Sequence, residues 1–176
     1  DIACSFGCTG TVSVTCTTCP SSAPAVPAIG QNNPVATDLC ADAPLVQNLE
    51  GYGGSTSSAY TATGNSASLV SNFCGIIENN SFIKFIASAT TAEFEFWIPS
   101  CSVGTDGVQF QVFSVTGACA TGTWTSVSNG CVNPTGGANS WGKFVATGLT
   151  AGNTYYLMFD GFAGNVCDYV IKGISG

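Results

Sequence analysis

From residue 81 onward, apolar and polar residues alternate in short runs separated by Gly, Ser, Asn and Thr. A period of two is the signature of strands with one face buried. The runs predict strands over 81–88, 92–98, 108–115, 122–127, 141–147, 154–160 and 166–173, with fainter alternation at 46–50, 58–63 and 67–73. In 92–98, Phe94, Phe96 and Ile98 fall on one face and Glu93, Glu95 and Trp97 on the other. In 108–115, Phe110 and Val112 point inward and Gln109 and Gln111 outward. No segment carries a helical stripe of ten or more residues. Seven to nine short strands divided by turn residues predict an all-β fold, an antiparallel, jelly-roll-like β-sandwich.

The stretch "YYLMFDGFAGNVCDYVI" (155–171) reads as a hairpin around a loop at 161–165, with Phe159 opposite Cys167. Tyr155, Leu157, Phe159, Cys167, Tyr169 and Ile171 then share a core face. Asp160 and Asp168 fall together on the opposite face, diagonal to each other, and are the calcium candidates this stretch raises.

The first part of the chain has a different texture. Residues 1–37 hold four cysteines, Cys4, Cys8, Cys16 and Cys19, and one β-like run, Thr11, Val12, Ser13, Val14 and Thr15. A tract with Pro20, Pro24, Pro27 and Pro34 follows, the composition of an extended connector. The chain therefore divides into an N-terminal Cys-rich β arm at 1–37 and a sandwich domain at 38–176. A strand held on a stiff arm can reach a neighbouring copy and complete its sheet. Such a head-to-tail contact does not close, and it builds a filament.

Four stretches resemble a domain recurrent in secreted and cell-surface Bacteroidetes proteins, of the adhesin or type IX-secreted kind: "DLCADAPLVQNLEGYGGST" (38–56), "FCGIIENNSFIKFIA" (73–87), "DGVQFQVFS" (106–114) and "GLTAGNTYYLMFDGFAGNVCDY" (148–169). The resemblance covers about residues 38 to 175. It implies a jelly-roll-like sandwich, distantly like pre-peptidase C-terminal and carbohydrate-binding modules, and a place outside the cell. Relatives often carry a further cysteine near Val46 and an acid at the position of Asn165, which removes one carboxylate from that loop here.

Composition narrows the function. The chain has ten acids, three lysines, no arginine and no histidine, for a net charge of −7. A nucleic-acid binder needs clustered cations, and an anionic membrane surface would repel this chain, so both partners are excluded. No apolar run is long enough to span a bilayer. Only 7% of residues are charged while mean hydropathy is positive, a composition that suits packing against copies of itself or against other surface proteins. The chain begins at Asp1 with no signal peptide, as expected of a mature or excised chain.

Ten cysteines imply disulfides in an oxidising compartment. Cys119 and Cys131 flank a Gly/Ser/Thr-rich excursion and are expected to pair. For the rest of the sandwich, Cys40–Cys74 with Cys101–Cys167 is the preferred one of three wirings. The N-terminal four are expected to pair among themselves; a zinc site there would have to do without histidine.

Without histidine, Ser–His and Cys–His nucleophile systems are absent. Glu93 and Glu95 are spaced like a glycosidase pair, yet same-face acids on a strand are more often simply solvated. Asp38, Asp42 and Glu78 add oxygens for calcium, but no Asp-x-Asp-x-Asp-Gly loop exists and Asp106-Gly107 is a turn former. "GYGGS" (51–55) lacks the lysine and helix of a phosphate loop. Trp97, Trp124 and Trp141 are the candidates for stacking on a sugar ring. The expectation is a non-enzymatic, cofactor-free, extracellular structural or adhesive protein, with a carbohydrate-binding module as the alternative.

Overall fold

The computed structural model describes residues 33–129, 131–133 and 135–176. The Thr11–Thr15 strand and the cysteines Cys4, Cys8, Cys16 and Cys19 lie outside the described residues.

Eight strands form two antiparallel sheets. One sheet has the order β1 (Tyr52–Ser55), β8 (Cys167–Ser175), β3 (Thr91–Cys101), β6 (Ser140–Thr147). The other has β2 (Ser81–Ile86), β7 (Thr154–Gly161), β4 (Val108–Thr116), β5 (Thr123–Ser126). All seven strands read from alternation are present. The eighth, β1, is "YGGS", whose two glycines hide its alternation. One of them makes room for an aromatic ring: a Cβ on Gly54 would stand 2.5 Å from the Tyr169 hydroxyl.

Between the sheets lies an aromatic core. Phe94, Phe96 and Phe144 of one sheet meet Phe110 and Phe159 of the other, with Phe94–Phe144 and Phe159–Tyr169 stacked at 4.8 and 4.3 Å. Offset ring pairs like these add to the stabilisation from burial alone.

The 155–171 stretch is not a hairpin. β7 and β8 belong to different sheets, and the turn Phe162–Gly164, with Ala163 at φ 54°, carries the chain from one to the other. The predicted inward set is nevertheless right: Tyr155, Leu157, Phe159, Cys167, Tyr169 and Ile171 are all in the core. A hairpin and an arch between facing sheets place the same alternate residues inward, so periodicity alone does not separate them.

The sandwich has a third layer. Residues 40–43 and 66–80 fold over the outer face of the β2-β7-β4-β5 sheet and bury Leu69, Phe73, Ile77, Phe82, Phe113, Trp124 and Met158 in a second core, while the stretch between them carries β1 into the other sheet. Its centre is a short helix, α1 (Ala67–Asn72), where alternation predicted a strand. Ser66 caps it by accepting a hydrogen bond from Leu69 N. Six residues are too few to display a helical stripe. The other two faint runs are not strands either: 46–50 and 58–63 are loop and turn.

This layer explains a second departure. Gln109 and Gln111, expected to face water, are 1% and 4% exposed beneath it. Gln111 donates to Asn72 O and to Ser126 Oγ and accepts from Cys74 N, tying β4 to the end of the helix.

The wiring is Cys40–Cys119, Cys74–Cys131 and Cys101–Cys167. The third bridge is as expected and joins cross-strand partners of β3 and β8. The expected Cys119–Cys131 and Cys40–Cys74 pairs are not formed. Cys119 and Cys131 sit at either end of the β5 excursion, and each faces the covering layer instead. Two bridges therefore fasten the third layer to the sheet beneath it.

Packing also begins earlier than residue 38. Ala36 is buried, Thr37 bridges Phe82, and Pro34 O accepts from the Tyr52 hydroxyl.

Candidate functional site

The strand β2 is an edge of its sheet. Phe82 exchanges backbone hydrogen bonds with Thr37, and Lys84 bonds Pro44 and Val46, so the first part of that edge is covered. Among the described residues nothing continues the pairing alongside Ile86. Beside it opens a groove of about 330 Å³ between segment 45–50, β2, and the C-terminal end of β8. Phe85 and Phe94 reach its floor, and its rim is Leu45, Ile86 and Ile174, which are 40%, 48% and 41% exposed. Three large apolar side chains thus stand around one groove next to an incomplete strand edge, and Gln47, Asn48, Glu50 and Ser175 also line it.

A polar cluster lies under the covering layer. Asp160, at the end of β7, is fully buried, and its Oδ1 accepts from the backbone N–H of Glu78 and Asn79 at 3.1 and 3.0 Å. Asn79 reciprocates: its Oδ1 accepts from Gly161 N, and its Nδ2 donates to Asn165 O. The motifs "CGIIENN" and "FDGFAGN" thus lock to each other. Gly161 is required there, because a Cβ would strike the Asn165 carbonyl. With its amide committed, Asn79 of the sequence Asn79-Asn80-Ser81 is buried rather than displayed for glycosylation.

Burial is the main force raising the Asp160 pKa, from 3.8 to about 7, opposed by the two backbone donors and reinforced by the adjacent Glu78 carboxyl. Glu78 is raised too, mainly by burial. Asp168 is elsewhere, exposed on the other sheet, where it accepts from the Ser100 hydroxyl at 2.7 Å. The pairing of Asp160 with Asp168 for calcium is therefore corrected: the arch puts them on separate sheets. Among the described residues no group of three or more acids, cysteines or histidines converges. Asp38 accepts from Thr61 N, and Asp42 and Asp106 lie apart from the cluster.

The outer face of the other sheet holds the remaining candidates. Lys143 contacts Glu93 and Glu95, each at 3.1 Å, and its pKa is raised mainly by hydrogen bonds to these two carboxylates. The two acids are both engaged by one lysine. Of the stacking candidates, Trp124 is fully buried in the second core with Nε1 donating to Cys119 O, and Trp97 is 3% exposed. Trp141 alone of the three is presented, at 44% exposure. Sequence reasoning missed the groove because its parts come from three distant segments; it named Glu78 and Asp160 as oxygen donors but did not pair them, because their contact depends on the covering layer.

These features define a disulfide-braced, three-layered all-β sandwich. No protein-family model matches the chain, and neither a curated protein nor a solved structure matches it. Among the described residues no helix is long and apolar enough to cross a membrane.

Proposed function

We propose that this chain is a non-catalytic structural or adhesive component of an extracellular surface that assembles with copies of itself. The arm segment Thr11–Thr15 of one copy adds a strand at the β2 edge of the next, with Val12 and Val14 against the apolar rim of the groove. One observation carries this: an edge strand whose pairing stops at Ile86, beside a groove rimmed by Leu45, Ile86 and Ile174. Backbone hydrogen bonds along the edge supply affinity, and alternate side chains in the groove set register.

The chain's reach agrees. The described part starts at Asn33, whose side chain donates to Gly51 O, next to the groove residue Glu50. Seventeen residues lie between Thr15 and Asn33, enough to span roughly 60 Å when extended. The resemblance to secreted surface domains, the three disulfides and the scarcity of charge support the location.

Removing residues 1–32 tests the reading, a cut that spares the packed Asn33–Thr37. Light scattering on unreduced protein is expected to find large assemblies for the full chain and a folded monomer after the cut. Equal particle sizes would contradict it.

The second reading, a carbohydrate-binding module, is favoured by Trp141, exposed beside the Lys143–Glu93–Glu95 cluster. A glycan array probed with the chain and with Trp141→Ala decides it. Binding lost in the variant supports a sugar site, and silence on every glycan removes it.

A further inference from the structure

Two buried oxygens on adjacent strands lack a partner. Among the described residues, Asp160 Oδ2 and Gln109 Oε1 make no hydrogen bond, although their residues are 0% and 1% exposed. Asp160 and Gln109 are direct cross-strand partners of β7 and β4, so their side chains rise from the same face of the sheet as neighbours. Beside Asp160 lies Glu78, whose carboxyl is within hydrogen-bonding reach of that of Asp160. Buried polar atoms are almost always paired, and an orphaned carboxylate oxygen beside a second carboxylate is among the costlier exceptions.

The other atoms of the cluster are already engaged and hold these oxygens in place. Asp160 Oδ1 is fixed by two backbone N–H groups, and Gln109 Nε2 donates to Asn133 Oδ1, whose own Nδ2 donates to Cys74 O. The Cys74–Cys131 bridge fastens the loop carrying Glu78 to the segment carrying Asn133. The result is two fixed, buried oxygens on neighbouring strands, with a half-buried carboxylate beside Asp160.

We propose that Asp160, Gln109 and Glu78 form a divalent-cation site, best suited to calcium. The donor set is all oxygen and carries two negative charges, which disfavours the transition metals that seek nitrogen or sulfur. One ion would satisfy both orphaned oxygens and separate two carboxylates that otherwise repel. Water entering beside Glu78 would complete a coordination shell of six to eight, which calcium tolerates in irregular geometry more readily than magnesium does. By linking Glu78 to β4 and β7, the ion would fasten the covering layer at a third point. The site is independent of self-assembly, since the groove lies at another edge of the sandwich.

Thermal unfolding of the chelator-treated full chain tests this, with and without 10 mM calcium chloride and with magnesium chloride as the ionic-strength control. For a site in the range of extracellular calcium modules, calcium is expected to raise Tm by about 3–10 °C. Titration calorimetry is expected to find one ion per chain. Glu78→Gln, at a half-buried position that should fold normally, is expected to at least halve the shift. Asp160→Asn, which keeps an oxygen for the two backbone donors, is expected to abolish it. A wild-type Tm indifferent to calcium overturns the proposal, as does an equal calcium shift in wild type and both variants. A Tm that responds to pH but not to calcium also overturns it, because the pair would then hold a proton and no metal.

Discussion

Asp160 is a carboxylate the fold needs for its shape and penalises for its charge. Its Oδ1 anchors two backbone N–H groups, yet burial raises its pKa to about 7 from 3.8. The folded state therefore binds this proton more tightly than the unfolded chain does. The associated stability is complete below about pH 4 and is lost as pH rises toward 7. Without divalent cation, denaturant midpoints of wild type are expected to fall across that window, while Asp160→Asn flattens the profile; parallel profiles would contradict this. Asn79 is its counterpart on the covering loop. Asn79→Ala deletes the bonds to Gly161 and Asn165 and is expected to cost about 1–3 kcal/mol in denaturant unfolding. The sequence displayed these residues as turn formers and rim acids. Their burial was not legible, because a polar residue at an outward position of a strand reads as solvated until something is known to cover it.

The covering layer is the element on which sequence reading and structure differ most. Alternation was enough for seven strands, whose buried faces repeat every second residue. It failed for α1, where "ASLVSN" alternates by accident and one capped turn and a half is held by tertiary contacts. Ser68 Oγ accepts from Trp124 N, and Asn72 Nδ2 donates to Trp124 O, so the helix grips the short strand β5. Leu69, fully buried, faces the second core. Leu69→Ala is expected to cost about 2–5 kcal/mol by chemical denaturation, whereas truncating the exposed Val70 to Ala costs little. The disulfides belong to this scale too. Cys40–Cys119 and Cys74–Cys131 close loops of 79 and 57 residues, worth roughly 4 kcal/mol each in the chain-entropy view. Removing either pair by Cys→Ser is expected to loosen residues 40–43 and 66–80 before the two sheets. Hydrogen exchange would show protection lost first in α1; uniform loss over all strands would contradict that order. The wiring was not readable from spacing, since Cys119 and Cys131 lie near each other in sequence but are bound to a layer folded over both.

For the whole molecule, the sandwich was legible and its unfinished edge was not. With three lysines against ten acids, all three lysines are engaged at the surface: Lys143 with Glu93 and Glu95, Lys172 with Glu50, and Lys84 over the Tyr156 ring. Few charges remain to keep copies apart, and a groove with an apolar rim of Leu45, Ile86 and Ile174 faces outward beside β2. The Cys- and Pro-rich composition of residues 1–37 was visible in the sequence, whereas the groove proposed to accept a strand depends on where segments 45–50 and 173–176 end in space. The most direct measurement is fluorescence anisotropy of a labelled peptide of residues 9–15, titrated with the chain lacking residues 1–32. Saturable binding that is abolished by Ile86→Lys is predicted. A peptide that stays unbound at millimolar protein, or that binds the variant equally well, would contradict strand donation at the β2 edge.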